Sequence, residues 1–132
     1  MRDLEEIANI AFNAGLQLHK ELGPGLLESV YEAVLEDMLL EQGLFVERQK
    51  SIPIVFRGKL FVENFRADLI VENQLLIELK STEFFAPVHA KQVLTYLRLA
   101  NLPLGFLMNF GAGLFKDGVK RLANDYFGKA QK

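Results

Sequence analysis

The chain has 132 residues, about one domain, with 50% hydrophobic and 24% charged residues, an ordinary globular mix and not a disordered one. It has no cysteine, which excludes disulfides and thiolate metal sites and fits a reducing cytosol. It also has no run of 18 apolar residues, and acids occupy the N-terminus where a secretory leader would be apolar, so the expected location is cytoplasmic, with no membrane partner.

The net charge of −2 hides a split. Residues 1–47 carry ten acids and two bases, and residues 48–132 carry thirteen bases and seven acids. The basic part reads either as solvated faces or as a surface for a polyanion.

In chain order, residues 2–20 predict a helix, with Ile7, Ile10, Ala11, Ala14 and Leu18 at helical spacing and Gly23-Pro24-Gly25 as its stop. A second helix is predicted over Leu26–Gln42. Its apolar stripe is Leu27, Val30, Tyr31, Val34, Leu35, Met38 and Leu39, and Gly43 ends it. The period then changes. Phe45–Glu47, Ile52–Phe56, Leu60–Val71 and Gln74–Lys80 are rich in Val, Ile, Phe and Leu, and turn residues lie between them. They read as a meander of three or four antiparallel strands. Pro87–Ala100 predicts a helix, Leu104–Phe110 a buried strand, Leu114–Lys116 a brief strand, and Val119–Phe127 a final helix. The predicted class is α/β (α+β), in the order α-α-β-β-β-α-β-(β)-α, within a single domain spanning residues 1–132.

Strand alternation singles out one pair of acids. Arg66, Asp68 and Ile70 share one face of their strand, and Leu76, Glu78 and Lys80 share one face of the next. If the two strands pair, Asp68 and Glu78 meet with Lys80 beside them. Two carboxylates brought together repel each other unless a cation or a function holds them. A hard divalent ion such as Mg²⁺ suits them, and a nearby lysine can steer water or steady charge on a phosphate. The plainer reading of this pattern by itself is a salt bridge between Lys80 and one acid.

Three motifs in order favour the first reading. They are Gly25-Leu26-Leu27-Glu28-Ser29-Val30-Tyr31, then Asp68 with Glu78-Leu79-Lys80, then Gln92-Val93-Leu94-Thr95-Tyr96. Through them essentially the whole chain resembles the GxxExxY family of the PD-(D/E)XK nuclease superfamily, with Ala67 standing where the signature has proline. The resemblance implies a restriction-endonuclease-like core, a central mixed sheet flanked by helices. It implies Asp68, Glu78 and the Leu79 backbone carbonyl as ligands of Mg²⁺, with Mn²⁺ a substitute. Lys80 would position or activate the attacking water, and Glu28 would add a third acid from the helix. Gln92 and Tyr96 would shape the site or touch the nucleic-acid backbone.

Each supporting residue also has a plain reading. Glu28 suits a helix N-terminus whatever its function. Tyr31 belongs to the apolar stripe. Gln92 and Tyr96 share a helix face, with Lys91 and Arg98 flanking them. His89 is one turn before Gln92, and His19 reads as structural. Arg48, Lys50, Arg57, Lys59 and Arg66 are candidates for a phosphate-binding surface, with Lys91, Tyr31 and Arg66 also candidates for substrate contact. The expected function is a Mg²⁺-dependent nuclease on nucleic acid, DNA ahead of RNA, with specificity supplied by a homodimer or a partner protein. The alternative is a non-catalytic nucleic-acid- or protein-binding module on the same fold, dimerising through apolar surface such as Phe84-Phe85.

Overall fold

The computed structural model describes residues 2–63, 65–84 and 86–125. Two helices come first: α1 (Leu4–Leu22) and α2 (Glu28–Glu41). The Asp3 side chain caps α1 by accepting from the Glu6 N–H at 2.9 Å. Gly43, at φ +80°, reverses the chain after α2, a conformation that costs glycine little.

Five strands follow: β1 (Val46–Ser51), β2 (Ile54–Phe56), β3 (Lys59–Phe61), β4 (Arg66–Val71) and β5 (Leu75–Lys80). After them come α3 (Pro87–Ala100), β6 (Leu104–Asn109), a 3-10 turn over Phe115–Gly118 and β7 (Val119–Ala123). The main sheet has the order β1-β4-β5-β6-β7, and β2 and β3 form a separate two-stranded ribbon. All pairs are antiparallel except β5–β6, which is parallel and connected through α3. The class is therefore mixed α/β, with a mixed sheet flanked by helices, as a restriction-endonuclease-like core requires.

Strand alternation distributes the apolar residues between two cores. Leu69, Val71, Leu75, Ile77 and Leu79 pack with Ile7, Leu18, Tyr31 and Leu35 under α1 and α2. On the opposite face Ile70, Leu76 and Leu107 pack with Val93 and Leu97 of α3. Glu78 follows Leu76 onto this second face, whereas β4 breaks its alternation at Asp68, since the preceding Ala67 also belongs to the second core.

Several expectations are corrected. The stretch 119–123 is not helical but an edge strand, pairing with β6 from Met108↔Val119 to Leu104↔Ala123. The spacing of Val119 and Leu122 suits one side of a helix, but β6 has an open edge whose backbone groups need partners, and that demand prevails. The rest of the predicted final helix, from Tyr126, lies outside the described residues. Leu114–Lys116 is not a strand: Phe115 starts the 3-10 turn and is buried among Phe12, His19 and Phe110. The predicted strand Leu60–Val71 is two elements in different sheets, and the meander is really β1-β4-β5 with the β2–β3 ribbon inserted.

The ends of β5 and β6 are fastened together behind Lys80. The Phe110 N–H donates to the Lys80 carbonyl at 2.8 Å. Asn109 Oδ1 accepts from both Thr82 N and Gly111 N at 3.0 Å. Gly111 is obligatory here, since a Cβ would lie 2.1 Å from the Thr82 carbonyl oxygen.

Candidate active site

The β4–β5 ladder runs from Val71↔Leu75 to Leu69↔Ile77 and stops where the two acids begin. There the side chains replace the backbone ladder. Asp68 N donates to Glu78 Oε1 at 3.2 Å, and Leu79 N donates to Asp68 Oδ2 at 2.9 Å. The strands thus open into a fork whose inner N–H groups are satisfied by the two carboxylates.

The fork has an electrostatic cost. Glu78 is 8% exposed. Burial, then the charge of Asp68 and a side-chain hydrogen bond with it, push its carboxyl up to about 9, so it keeps a proton at neutral pH. A proton trapped between two acids is a position that a divalent cation can take over. Among the described residues, no cluster of three or more His, Cys, Asp or Glu side chains is placed to hold a metal. Two carboxylates with water completing the shell suit Mg²⁺, which keeps several of its waters.

The sequence reading missed two residues that brace Asp68. Gln49 Nε2 donates to Asp68 Oδ1 at 3.1 Å and to Glu32 Oε1 at 2.8 Å. Its backbone sits at φ +53°, between the Arg48↔Leu69 and Lys50↔Ala67 pairs of β1 and β4. A non-glycine residue there costs on the order of 1 kcal/mol. Glu32 is buried on α2, with Arg48 Nε on its Oε2 at 2.7 Å and Arg48 Nη1 3.8 Å from Glu36. Burial raises the Glu32 carboxyl, the Arg48 hydrogen bond lowers it, and the net effect is upward. The signal in the sequence was an acid directly after Tyr31 on a helix that buries that face, with Arg48-Gln49 on the next element.

The remaining candidates separate by position. Lys80 is half-buried at the end of β5, on the face of Glu78 by alternation. Its charge lowers the Glu78 carboxyl, the weakest of the influences on it. Tyr96 is half-buried, and burial with the charges of Glu78 and Asp68 raises its hydroxyl, so it belongs to this neighbourhood. Gln92 lies one turn earlier on α3 and is exposed, as are Lys91 and Arg66. Glu28 is exposed in the first turn of α2, in a shallow recess with Leu26, Leu27, Ser29 and Ser81. The acid brought to Asp68 from α2 is Glu32, one turn further on.

Tyr31 is fully buried and stacks on Phe110 with ring centroids 4.6 Å apart. Its hydroxyl donates to the Gly23 carbonyl and accepts from Leu26 N. That shapes the entry to α2 and leaves no surface for substrate. His89 Nδ1 accepts from Ala86 N at 3.4 Å at the start of α3. His19 is buried with Nε2 2.8 Å from the Ala112 carbonyl oxygen, a structural role. Of the proposed phosphate surface, Arg48 is committed to Glu32 and Lys50 to Glu47 at 2.6 Å.

No curated protein matches the chain significantly. Among solved structures, the crystal structure of SSO0001 is similar, with 22% identity and a TM-score of 0.43, over 95% of this chain and 68% of that one. The model of the PD-(D/E)XK nuclease superfamily matches residues 5–122, from α1 through the fork and α3 into β7, and the chain belongs to that superfamily.

Proposed function

We propose that the chain is a divalent-metal-dependent nuclease of the GxxExxY family, a single nuclease-like domain acting in the cytoplasm on nucleic acid, DNA ahead of RNA. The observation that carries this reading is the fork: Asp68 and Glu78 interlocked where the β4–β5 ladder ends, with Glu78 holding a proton at neutral pH. A carboxylate pair of this kind is a poor arrangement for stability alone and a good one for a cation.

Asp68 and Glu78, with the Leu79 backbone carbonyl, would hold Mg²⁺ or Mn²⁺. Once bound, the ion supplies Lewis acidity toward a phosphodiester and lowers the pKa of its water. Lys80 stands on the same face, where its ammonium can orient the attacking water and balance charge developing on the phosphate. Gln49 holds one oxygen of Asp68, so the carboxylate keeps its orientation. Tyr96 closes the α3 side, and Gln92, Lys91 and Arg66 offer polar groups to the backbone of the substrate. Specificity is supplied by a second copy or a partner protein.

A second reading has an observation of its own. The two carboxylates already satisfy the N–H groups of Asp68 and Leu79, a structural duty that a non-catalytic binding module would retain. Cleavage of single- and double-stranded DNA and RNA with Mg²⁺ or Mn²⁺, for the parent and Asp68→Asn, separates the two. Metal-dependent cleavage lost in the variant supports the nuclease, and binding without cleavage of any substrate supports the module.

A further inference from the structure

Among the described residues, the β2–β3 ribbon pairs with no strand of the main sheet. It turns tightly at Arg57-Gly58, both at positive φ (+52° and +74°), so the turn is of the hairpin-favoured kind. Its register is Ile54↔Phe61, Val55↔Leu60 and Phe56↔Lys59. Cross-strand partners share a face, so Phe56, Phe61 and Lys59 lie on one side and Val55 and Leu60 on the other. Exposure is high on both sides: 60% for Phe56, 42% for Phe61, 65% for Val55 and 62% for Leu60. A bare two-stranded ribbon is at best marginal in water, and this one spends aromatic and branched residues on solvent.

Charge and position indicate what covers it. The Arg57 guanidinium lies over the Phe56 ring at 5.2 Å, and the tip carries Lys59 as well. Neither cation has an acidic partner among the described residues. The ribbon is also continuous with the candidate active site. Beyond Ser51↔Arg66 the β1–β4 pair continues through Ile52 N on the Phe65 carbonyl at 2.8 Å. The Phe65 ring meets Tyr96 edge-on at 4.2 Å, and Tyr96 feels the charges of Asp68 and Glu78. A narrow element, apolar on both sides and cationic at its tip, suits unpaired bases better than a flat protein face. Bases stack on its rings while phosphates meet Arg57 and Lys59.

From this we infer that the β2–β3 ribbon is a stacking platform for single-stranded or locally unpaired nucleic acid, with Phe56 and Phe61 as its rings, leading the strand to the fork. The inference rests on the nuclease reading of the fork and narrows its substrate to unpaired strands.

The test is fluorescence anisotropy with a labelled dT12 strand and with a 12-base-pair duplex, in Ca²⁺. It compares the parent, the double variant Phe56→Ala/Phe61→Ala, and Phe84→Ala as an exposed aromatic off the ribbon. Thermal melting confirms that each is folded. The parent should prefer the single strand. The double variant should lose on the order of tenfold or more in affinity for it, since each stacked base contributes measurably. Phe84→Ala should bind like the parent. Hydrolysis of bis-p-nitrophenyl phosphate in Mn²⁺, a diester without bases, should be the same in parent and double variant. Equal binding of dT12 by parent and double variant overturns the inference. So does a dimer that becomes monomeric at unchanged dT12 affinity, or loss of binding to phosphatidylserine vesicles in place of dT12 binding. A parent that cleaves no diester in Mn²⁺ but binds dT12 through the ribbon removes the nuclease and keeps the platform; a parent that does neither removes both.

Discussion

Replacing Glu78 by Gln should stabilise the metal-free protein. In the folded chain burial and Asp68 hold the Glu78 carboxyl at about 9 against an ordinary 4.5, so the folded form carries a proton that the unfolded form releases. The folded form binds more protons throughout that interval. Stability contributed by this group is therefore full below about 4.5, falls as pH rises, and levels off above about 9. The slope is up to ~1.4 kcal/mol per pH unit, and the gap accumulated by pH 7 is about 3 kcal/mol. Glutamine resembles the protonated acid. It keeps an oxygen for Asp68 N and offers an N–H to the Asp68 carboxylate, without the protonation cost. Glu78→Gln should thus gain about 3 kcal/mol at pH 7 in EDTA, on the order of 10 °C in melting temperature for a chain of this size. The assay is a set of melts between about pH 5 and 9, with EDTA and with Mn²⁺. The variant should lose most of the slope, keeping a smaller one of the same sign from Glu32, whose carboxyl is also raised. It should also lose the stabilisation by Mn²⁺. A variant that melts at or below the parent in EDTA, with the slope intact, would show that the pair is not strained and refute the reasoning.

The other expectations concern the same neighbourhood. Because a cation must displace the Glu78 proton, Mn²⁺ affinity should rise by up to about tenfold per pH unit between pH 6 and 8. Calorimetry in two buffers of different ionisation enthalpy should show close to one proton released. Lys80→Ala should bind Mn²⁺ as well as the parent and lose about 10²–10³ in single-turnover cleavage, since an ammonium is no cation ligand. Gln49→Ala should fold but lose about tenfold or more in metal affinity or turnover, read by titration and kinetics, because Asp68 is no longer held. Gly111→Ala should lose more than about 2 kcal/mol in urea unfolding, since its Cβ has no room against the Thr82 backbone.

The fork was legible because hairpin register is short-range: Asp68 and Glu78 fall opposite each other once β4 and β5 pair. Pro87 and Asn101 bracket α3 as local rules allow, with Asn101 at φ +54°. What escaped was set by partners distant in sequence. Glu32 is a surface residue by type and is buried only because Arg48, sixteen positions on, meets it. Gln49 has no local reason to leave the strand region of backbone space; its amide spans Glu32 and Asp68, and the fold holds it there. Residues 119–123 follow the vacancy beside β6 and not their own spacing. The α2 stripe holds for most of its length: Tyr31, Leu35 and Leu39 are buried and Val34 and Met38 pack against the same core, while Leu27, just before the helix, is 74% exposed.

The open end of the β4–β5 ladder has a consequence for how chains of this kind diverge. Alanine at Asp68 or Glu78 would strip a backbone N–H of its acceptor inside the sheet, so both positions need an oxygen acceptor whether or not cleavage matters, a need that an amide also meets. Lys80 has no such duty, since its side chain makes no hydrogen bond or ion pair among the described residues. In a lineage released from selection for hydrolysis, Lys80 would be free to change and Glu78 free to give way to glutamine, while an oxygen acceptor would stay at both acid positions. On the proposed reading, a related chain with acids at both positions keeps a place for a cation, and one with an amide at either keeps the architecture of the fork alone.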